Sequence, residues 1–331
     1  MKSLIDFALR EKYEKVKELR SRLEEVKGLI NWDAFLPMFP DKETLRGRPE
    51  YEKKLMLRIL FLQSCYGISD EEMEFQIYDR LSFQQFLDFP ESIPDFSTIW
   101  RFREDLSEKN TIDLIWEEIK NQIEQHGIII KKGAIQDASF IHADPGKKRS
   151  GMQGRGREAK TSRSKDGSWT KKGKKSVFGF KAHHKVDEET KIITEVAVST
   201  AKTFDGNVDL AKEDEIIFRD KGYSGSGTRA KGDGSMKRGK LSPHERLRNK
   251  RIAKKRCRGE HPYGTMHRSF KAGKTKLTTI PRVFIQHVFV CIENFEKIRL
   301  IFKSGVFFQL CWRHYRRESS LKALTNIEKF A

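Results

Sequence analysis

Through the first third of the chain, apolar residues recur every three or four positions, the spacing of helices with one buried face. Residues 8–30 carry Val16, Leu19, Leu23, Val26 and Ile30 among charged neighbours. This predicts an amphipathic helix that packs on its own domain in preference to a second copy of the chain. Residues 50–107 predict a compact helical unit. Leu55, Met56, Ile59, Leu60 and Leu62 line a helix from Glu52 to Cys65, and Gly67 suits its C-terminal cap. Ser69 and Glu72 have capping-box spacing for the next helix. Phe83, Phe86, Leu87 and Phe89 form an aromatic turn region closed by Pro90, and Pro94-Asp95 opens a helix with Ile99, Trp100, Phe102 and Leu106. A last helical pattern runs from Thr111 to about Gln125 and ends at His126-Gly127.

From Ile128 the pattern changes to short apolar runs. Ala134–Ile141 predicts a strand. Val177–Val186 and Ile192–Val198, joined by Asp187–Thr190, predict a β-hairpin. Residues 215–219 predict a short strand leading into Asp220. Ser242, Pro243 and Glu245 start a helix with an N-cap, a first-position proline and a capping box. That helix is expected to run to about Gly259, since Pro262 cannot continue it without a kink. Between these elements, residues 145–176 and 225–240 are rich in Gly, Lys and Arg and predict loops. The first is expected to be mobile and to order on a phosphate backbone, with Trp169 as its anchor to the fold. The expected organisation is a helical domain over 1–127, an α/β domain over 128–300 with the basic insert at 145–176, and a tail over 301–331.

Charge sharpens this division. The 331 residues carry a net +19. Residues 1–127 are net −7 and residues 128–331 net +26, so the whole basic excess lies in the α/β region and tail. Such a surface attracts polyanions. A helix-turn-helix reader of DNA over residues 69–106, with Arg101 and Arg103 as contacts, is the bolder reading of the helical domain. Its net acidic charge favours a packed domain that positions or dimerises the rest. Cys65, Cys257, Cys291 and Cys311 show no Cys-x-x-Cys spacing, which argues against a zinc ribbon or disulfide framework and for a reducing compartment. The N-terminus lacks a signal-peptide core, and Ile298–Trp312, broken by Arg299, Lys303 and Gln309, is too short and charged to span a bilayer. No membrane association is expected.

Three carboxylates stand out against the basic background: Asp137 within its strand, Asp220 opening Lys221-Gly222-Tyr223, and Glu260 before His261-Pro262. Strand, hairpin, strand and helix, in this order, are the elements of a ribonuclease H-like fold, a mixed sheet flanked by helices. There, two strands and a helix bring three carboxylates to one sheet edge. Hard oxygen ligands suit Mg2+ or Mn2+. Two such ions can activate an attacking oxygen and stabilise a leaving one. Nearby candidates are weaker. His183 and His184 point to opposite faces of a strand, and Asp144 before Pro145 and Asp205 before Gly206 are turn residues. On the basic helix, Arg251 and Lys255 belong to a mostly unpaired excess of charge suited to phosphate.

The chain resembles DDE insertion-sequence transposases of the InsH-like group over about residues 45–300. The matching motifs are Asp137–Ile141, Phe178–His183, Asp220–Ser224, Leu247–Arg251 and Arg256–Tyr263, with Met56–Gln63 and Ile93–Arg103 in the helical domain. The resemblance implies catalysis by Asp137, Asp220 and Glu260 on two Mg2+ or Mn2+ ions. It implies hydrolysis at element ends in double-stranded DNA, joining of the freed 3′ hydroxyl to target DNA, and a homodimer or higher assembly. Arg256 matches the family pattern one turn before Glu260. After the glutamate the family places a Lys where His267 and Arg268 stand here. Arg256, His267, Arg268, Lys221, Arg251 and Lys255 are the expected DNA contacts, and a cytoplasmic, nucleoid-associated location in a prokaryote is expected. The rivals are a metal-dependent nuclease without strand transfer and a non-catalytic nucleic-acid-binding derivative.

Overall fold

A computed structural model describes residues 22–40, 49–125, 133–146 and 165–303, together with positions 11, 12, 14 and 15. Most of the basic insert and the tail beyond Lys303 lie outside the described residues.

The helical domain contains α1 (Arg22–Leu29), a 3-10 turn (Trp32–Met38), α2 (Lys53–Tyr66), α3 (Asp70–Asp79), α4 (Leu81–Phe86), α5 (Phe96–Glu108) and α6 (Thr111–Gln125). The α2 helix is buried continuously from Leu55 to Cys65, its polar Arg58 and Gln63 being paired with Asp88 and Arg103. It ends on Gly67 in the left-handed conformation (φ 60°), whose N–H bonds the Gln63 carbonyl. Ser69 caps α3, and Asp95 caps α5 by accepting from the Thr98 N–H at 2.7 Å. Trp32, Phe61 and Phe86 pack with ring centroids 5.7 to 6.0 Å apart. Arg103, a DNA contact in the helix-turn-helix expectation, is instead buried. It donates to Gln63 Oε1 at 2.7 Å and pairs with Asp70. An unpaired guanidinium at that depth would be costly, so its charge is committed inside the fold.

The sheet contains β1 (Gly133–Ala143), β2 (Ser168–Lys172), β3 (Lys175–Asp187), β4 (Ile193–Thr200), β5 (Ile216–Arg219), β6 (Gly232–Ser235) and β7 (Lys274–Thr275). Along β1–β3 the pairing is antiparallel, from Ala134 opposite Asp187 to His142 opposite Gly179. The other edge of β3 pairs with β2 and then β4, both antiparallel. On its far side β1 pairs in parallel with β5 at residues 133–135 and with β7 at 142–143, and β6 lies parallel outside β5. Among the described residues, no strand covers that edge of β1 from Gln136 to Ile141.

The helices α7 (Pro243–Arg256), α8 (Glu260–Ser269) and α9 (Ile280–Lys303) complete the fold. The α9 helix lies between β4 and the N-terminal helices. Its residues Ile285, Val288, Phe289 and Ile292 join Val186 and Ile193 of the sheet to Leu57, Phe61 and Ile99 in one hydrophobic core. The helical domain and the sheet are thus held by a shared interior.

Three elements differ from expectation. The segment expected to be a loop over 225–240 contains β6, whose Gly232-Asp233-Gly234-Ser235 has no apolar side chain. Its glycines are needed because a Cβ at Gly234 would lie 2.5 Å from Phe218 Cδ1. The end of the basic insert forms β2, where Trp169 packs on Phe178 at 5.3 Å. The helix expected to reach Gly259 stops at Arg256. A 3-10 turn (Cys257–Gly259) follows, and Glu260 opens α8, with Pro262 accommodated in its first turn.

Candidate active site

The open edge of β1 is where the acids gather. Asp137 lies two residues beyond the last β1–β5 pair, Ile135 with Phe218. Continuing that register places Asp220, just past β5, abreast of it. Asp220 caps the 3-10 turn Lys221–Tyr223, its Oδ1 accepting from the Gly222 N–H at 2.7 Å. Asp137 Oδ1 accepts from the Ala138 N–H at 3.0 Å, and Oδ2 accepts from Arg256 Nη2 at 2.9 Å. Burial raises the proton affinity of Asp137, Arg256 opposes this, and the Asp220 charge adds to the rise. The two carboxylates therefore feel one another.

The end of α7 and the start of α8 are held against this strand at three points. Arg256 reaches Asp137. Gly259 is pressed on β1, where a Cβ would lie 2.9 Å from Ile135 Cγ2. The Tyr263 hydroxyl lies 3.2 Å from the Asp137 carbonyl and 3.1 Å from that of His184. Burial, with Asp137 next, pushes the Tyr263 hydroxyl's ionisation well up, so it is a neutral donor. Glu260 lies on the backbone between these points, at the head of α8. Sequence reasoning assigned Tyr263 no role; its position three residues after Glu260, one helical turn, was the available signal.

The expected DNA contacts divide into two groups. Lys221, Arg251, His267 and Arg268 are exposed, and Arg268 Nε donates to the Gly264 carbonyl at 3.1 Å. Arg256 and Lys255 already have protein partners. Lys255 Nζ lies 3.5 Å from Glu188 and 4.3 Å from the centroid of the Phe218 ring. Only Asn249 and Ile252 of α7 are buried, with Ile252 seated on Ile135 and Phe218. Arg246, Lys250, Arg251 and Lys254 consequently face outward. His267 lines a cavity of about 1020 Å³ with Arg103, Lys271, Lys274 and Arg282. That cavity lies at the seam between the helices and β7 and includes neither Asp137 nor Asp220, so its size does not mark the chemistry. His183 and His184 are both fully buried, which pushes both imidazoles toward the neutral form.

Carboxylate oxygens are the donor set that hard divalent cations take, and the desolvated Asp137 beside Asp220 is suited to one. Among the described residues, no three His, Cys, Asp or Glu side chains converge closely enough to hold a metal ion by themselves. Asp137 and Asp220 are the residues that would hold such an ion.

A mixed sheet flanked by helices, with two aspartates abreast at an open strand edge and a helix rich in Lys and Arg, is a scaffold suited to a polyanionic substrate. Family models agree: a Transposase domain (DUF772) matches residues 10–105 and a Transposase DDE domain matches residues 131–292. The chain belongs to the DDE transposases of insertion sequences, enzymes that act on DNA and generally use divalent metals. No solved structure matches it. No helix among the described residues is long and apolar enough to cross a membrane.

Proposed function

We propose that this transposase, an InsH-like member of its family, hydrolyses phosphodiesters at the ends of its element and joins the freed 3′ hydroxyl to target DNA. The strand order β4-β3-β1-β5-β6, with the first three antiparallel and the last two parallel to β1, supports a ribonuclease H-like sheet. The single observation that carries the reading is the placement of Asp137 and Asp220 abreast at the open edge, with the Glu260 turn fastened beside them. Two Mg2+ or Mn2+ ions held there would activate the attacking oxygen and stabilise the leaving one. Asp137, Asp220 and Glu260 bind and orient. Arg256 fixes the Asp137 carboxylate, and Tyr263 fixes the strand backbone behind it. Lys221, Arg251 and Arg268 contact backbone phosphates, with His267 beside Arg268 on α8. Cutting two element ends together calls for a homodimer or larger assembly on double-stranded DNA, acting in the cytoplasm at the nucleoid of a prokaryote. The helical domain, residues 1–127, supports the catalytic domain, residues 128–300.

The test uses the purified chain, element-end DNA and Mn2+. Nicking and joining by the wild type, both abolished in Asp220→Ala, are expected. Cleavage without joining would identify a plain nuclease on the same scaffold. Cleavage that survives Asp220→Ala would remove the assigned site.

A further inference from the structure

Asp205 has no role in the reaction so far and looks like a turn residue in the sequence. It opens the 3-10 turn Asp205–Asn207 in the link from β4 to β5. Its two oxygens face different ways. Oδ1 accepts from Lys181 Nζ at 2.8 Å. Oδ2 approaches the Asp220 turn: a Cβ on Gly222 would sit 2.8 Å from Asp220 Oδ1 and 3.6 Å from Asp205 Oδ2. The two carboxylates therefore flank the same glycine. Lys181 is itself fixed. Its Nζ donates to the Thr203 carbonyl at 2.6 Å and lies 5.3 Å from the centroid of the Phe140 ring. One oxygen of Asp205 is neutralised and located, and the other lies beside the Gly222 turn that Asp220 caps.

A second observation points into the same space. Tyr223 is 1% exposed and its hydroxyl has no hydrogen-bond partner. Gln136 lies beside it but is committed to the Val208 carbonyl at 2.6 Å and the Leu210 N–H at 3.3 Å. The charges of Asp205, Asp137 and Asp220 all act on this hydroxyl and, after burial, oppose its ionisation. A buried hydroxyl with only Gln136 near it, itself already bonded elsewhere, and within reach of three carboxylate charges, suits an ordered water.

We propose that Asp205 is a positioning residue for the cation at Asp137 and Asp220, holding a water of its hydration shell through Oδ2 while Lys181 fixes the carboxylate and Tyr223 donates into the same water network. The inference rests on the cation reading under Proposed function. Hydrated Mg2+ keeps several waters, and carboxylates beyond the direct ligands orient such shells. Three described carboxylates that do not converge on one point suit an outer contact better than a third direct ligand.

The experiment is a Mn2+ titration of the full chain without DNA, read by electron paramagnetic resonance, with melting in EDTA as the measure of the fold. Asp205→Asn is expected to weaken Mn2+ binding about 10-fold, with metal-free melting lowered by the loss of the Lys181 ion pair but still cooperative. Lys181→Gln should weaken it in the same direction, because Asp205 is then released. Wild-type affinity in Asp205→Asn overturns the inference. If that variant does not fold, wild-type affinity in a folded Lys181→Gln overturns it equally. A site lost in Asp220→Asn but intact in Asp205→Asn removes only the role of Asp205. A wild type without a saturable Mn2+ site, or one retained in Asp220→Asn, removes the cation reading and this inference together.

Discussion

Asp137→Asn separates what the carboxylate does for the reaction from what it does for the fold. Asparagine keeps the shape and an oxygen to accept from the Ala138 N–H, but no charge for Arg256. The lost charge-assisted bond, at 2.9 Å between side chains 14% and 30% exposed, is worth about 1.5–3 kcal/mol at most, and less after solvent screening. Against it stands relief of burial and of the Asp220 charge, which together outweigh Arg256 and raise the proton affinity of Asp137. The folded chain therefore prefers a neutral group at this position. In EDTA, urea denaturation should show a change within about 1 kcal/mol, in the stabilising direction. Cleavage should fall by about 10³-fold, the equivalent of about 4 kcal/mol of lost transition-state stabilisation. The sign of the pH dependence follows. In the window from the ordinary carboxylate range up to the raised folded value, the folded chain holds this proton more firmly than the unfolded chain. Metal-free stability thus falls as pH rises through that window and levels above it. Asp137→Asn lacks that slope. Apparent Mn2+ affinity in the wild type rises across the same window, because the ion displaces a proton. A stability loss above about 2 kcal/mol in the variant would refute the reasoning and make Asp137 a structural carboxylate.

Glu215→Ala leaves the buried Lys185 ammonium without its partner at 3.1 Å, at a cost of about 3–5 kcal/mol in urea denaturation. Burial already lowers the Lys185 pKa, so the variant's folded chain holds fewer protons than the unfolded one, and its deficit should shrink as pH rises; a pH-independent deficit would contradict this. Gly259→Ala forces a Cβ to within 2.9 Å of Ile135 Cγ2. It should cost about 1–3 kcal/mol and, by moving the turn that carries Glu260 by about 1 Å, reduce cleavage about 10²-fold; full activity would show that Gly259 does not set the glutamate. Arg251→Ala should weaken DNA binding and lower the salt slope of log K by about 1, and an unchanged slope would remove Arg251 from the interface.

The sequence was most legible where one residue type has one mechanical use. Gly67, Ser69, Asp95 and the Ser242–Glu245 box all cap helices where their chemistry predicted. The β3–β4 hairpin was visible because two apolar runs flank the polar Asp187–Thr190 turn. The β6 strand was invisible for the opposite reason. It contributes no apolar side chain, being a parallel edge strand whose glycines let Phe218 and Ile216 lie over it. The helix break at Arg256 was hidden because Cys257-Arg258-Gly259 is no stronger a breaker than many helix interiors. It is fixed instead by contact of Gly259 with Ile135, more than a hundred residues earlier. Asp205 shows the same limit. An Asp-Gly pair says turn, and only the β3 register that brings Lys181 to it shows that the turn ends at the acids. Arg103 failed in the other direction, since an exposed and a buried arginine look alike until Gln63 and Asp70 are seen around it.

The acids and bases of this chain are best understood as one balance. Asp137 and Asp220 alone would repel a phosphate backbone, and burial makes Asp137 reluctant to ionise. In the fold Arg256 supplies some of the missing positive charge, while Arg246, Lys250, Arg251 and Lys254 face outward, where they attract polyanions. A divalent cation between the two aspartates would take over the neutralisation that Arg256 now provides. The guanidinium, anchored at the end of α7 one turn before Glu260, would then become available to a phosphate at the cut. On this reading cation and DNA bind with mutual reinforcement, and the reinforcement acts through Arg256. Wild-type DNA affinity should rise with Mn2+ at fixed ionic strength, and Arg256→Ala should lose most of that rise. Equal affinity with Mn2+ and with EDTA in the wild type would mean that the arginine serves only the fold.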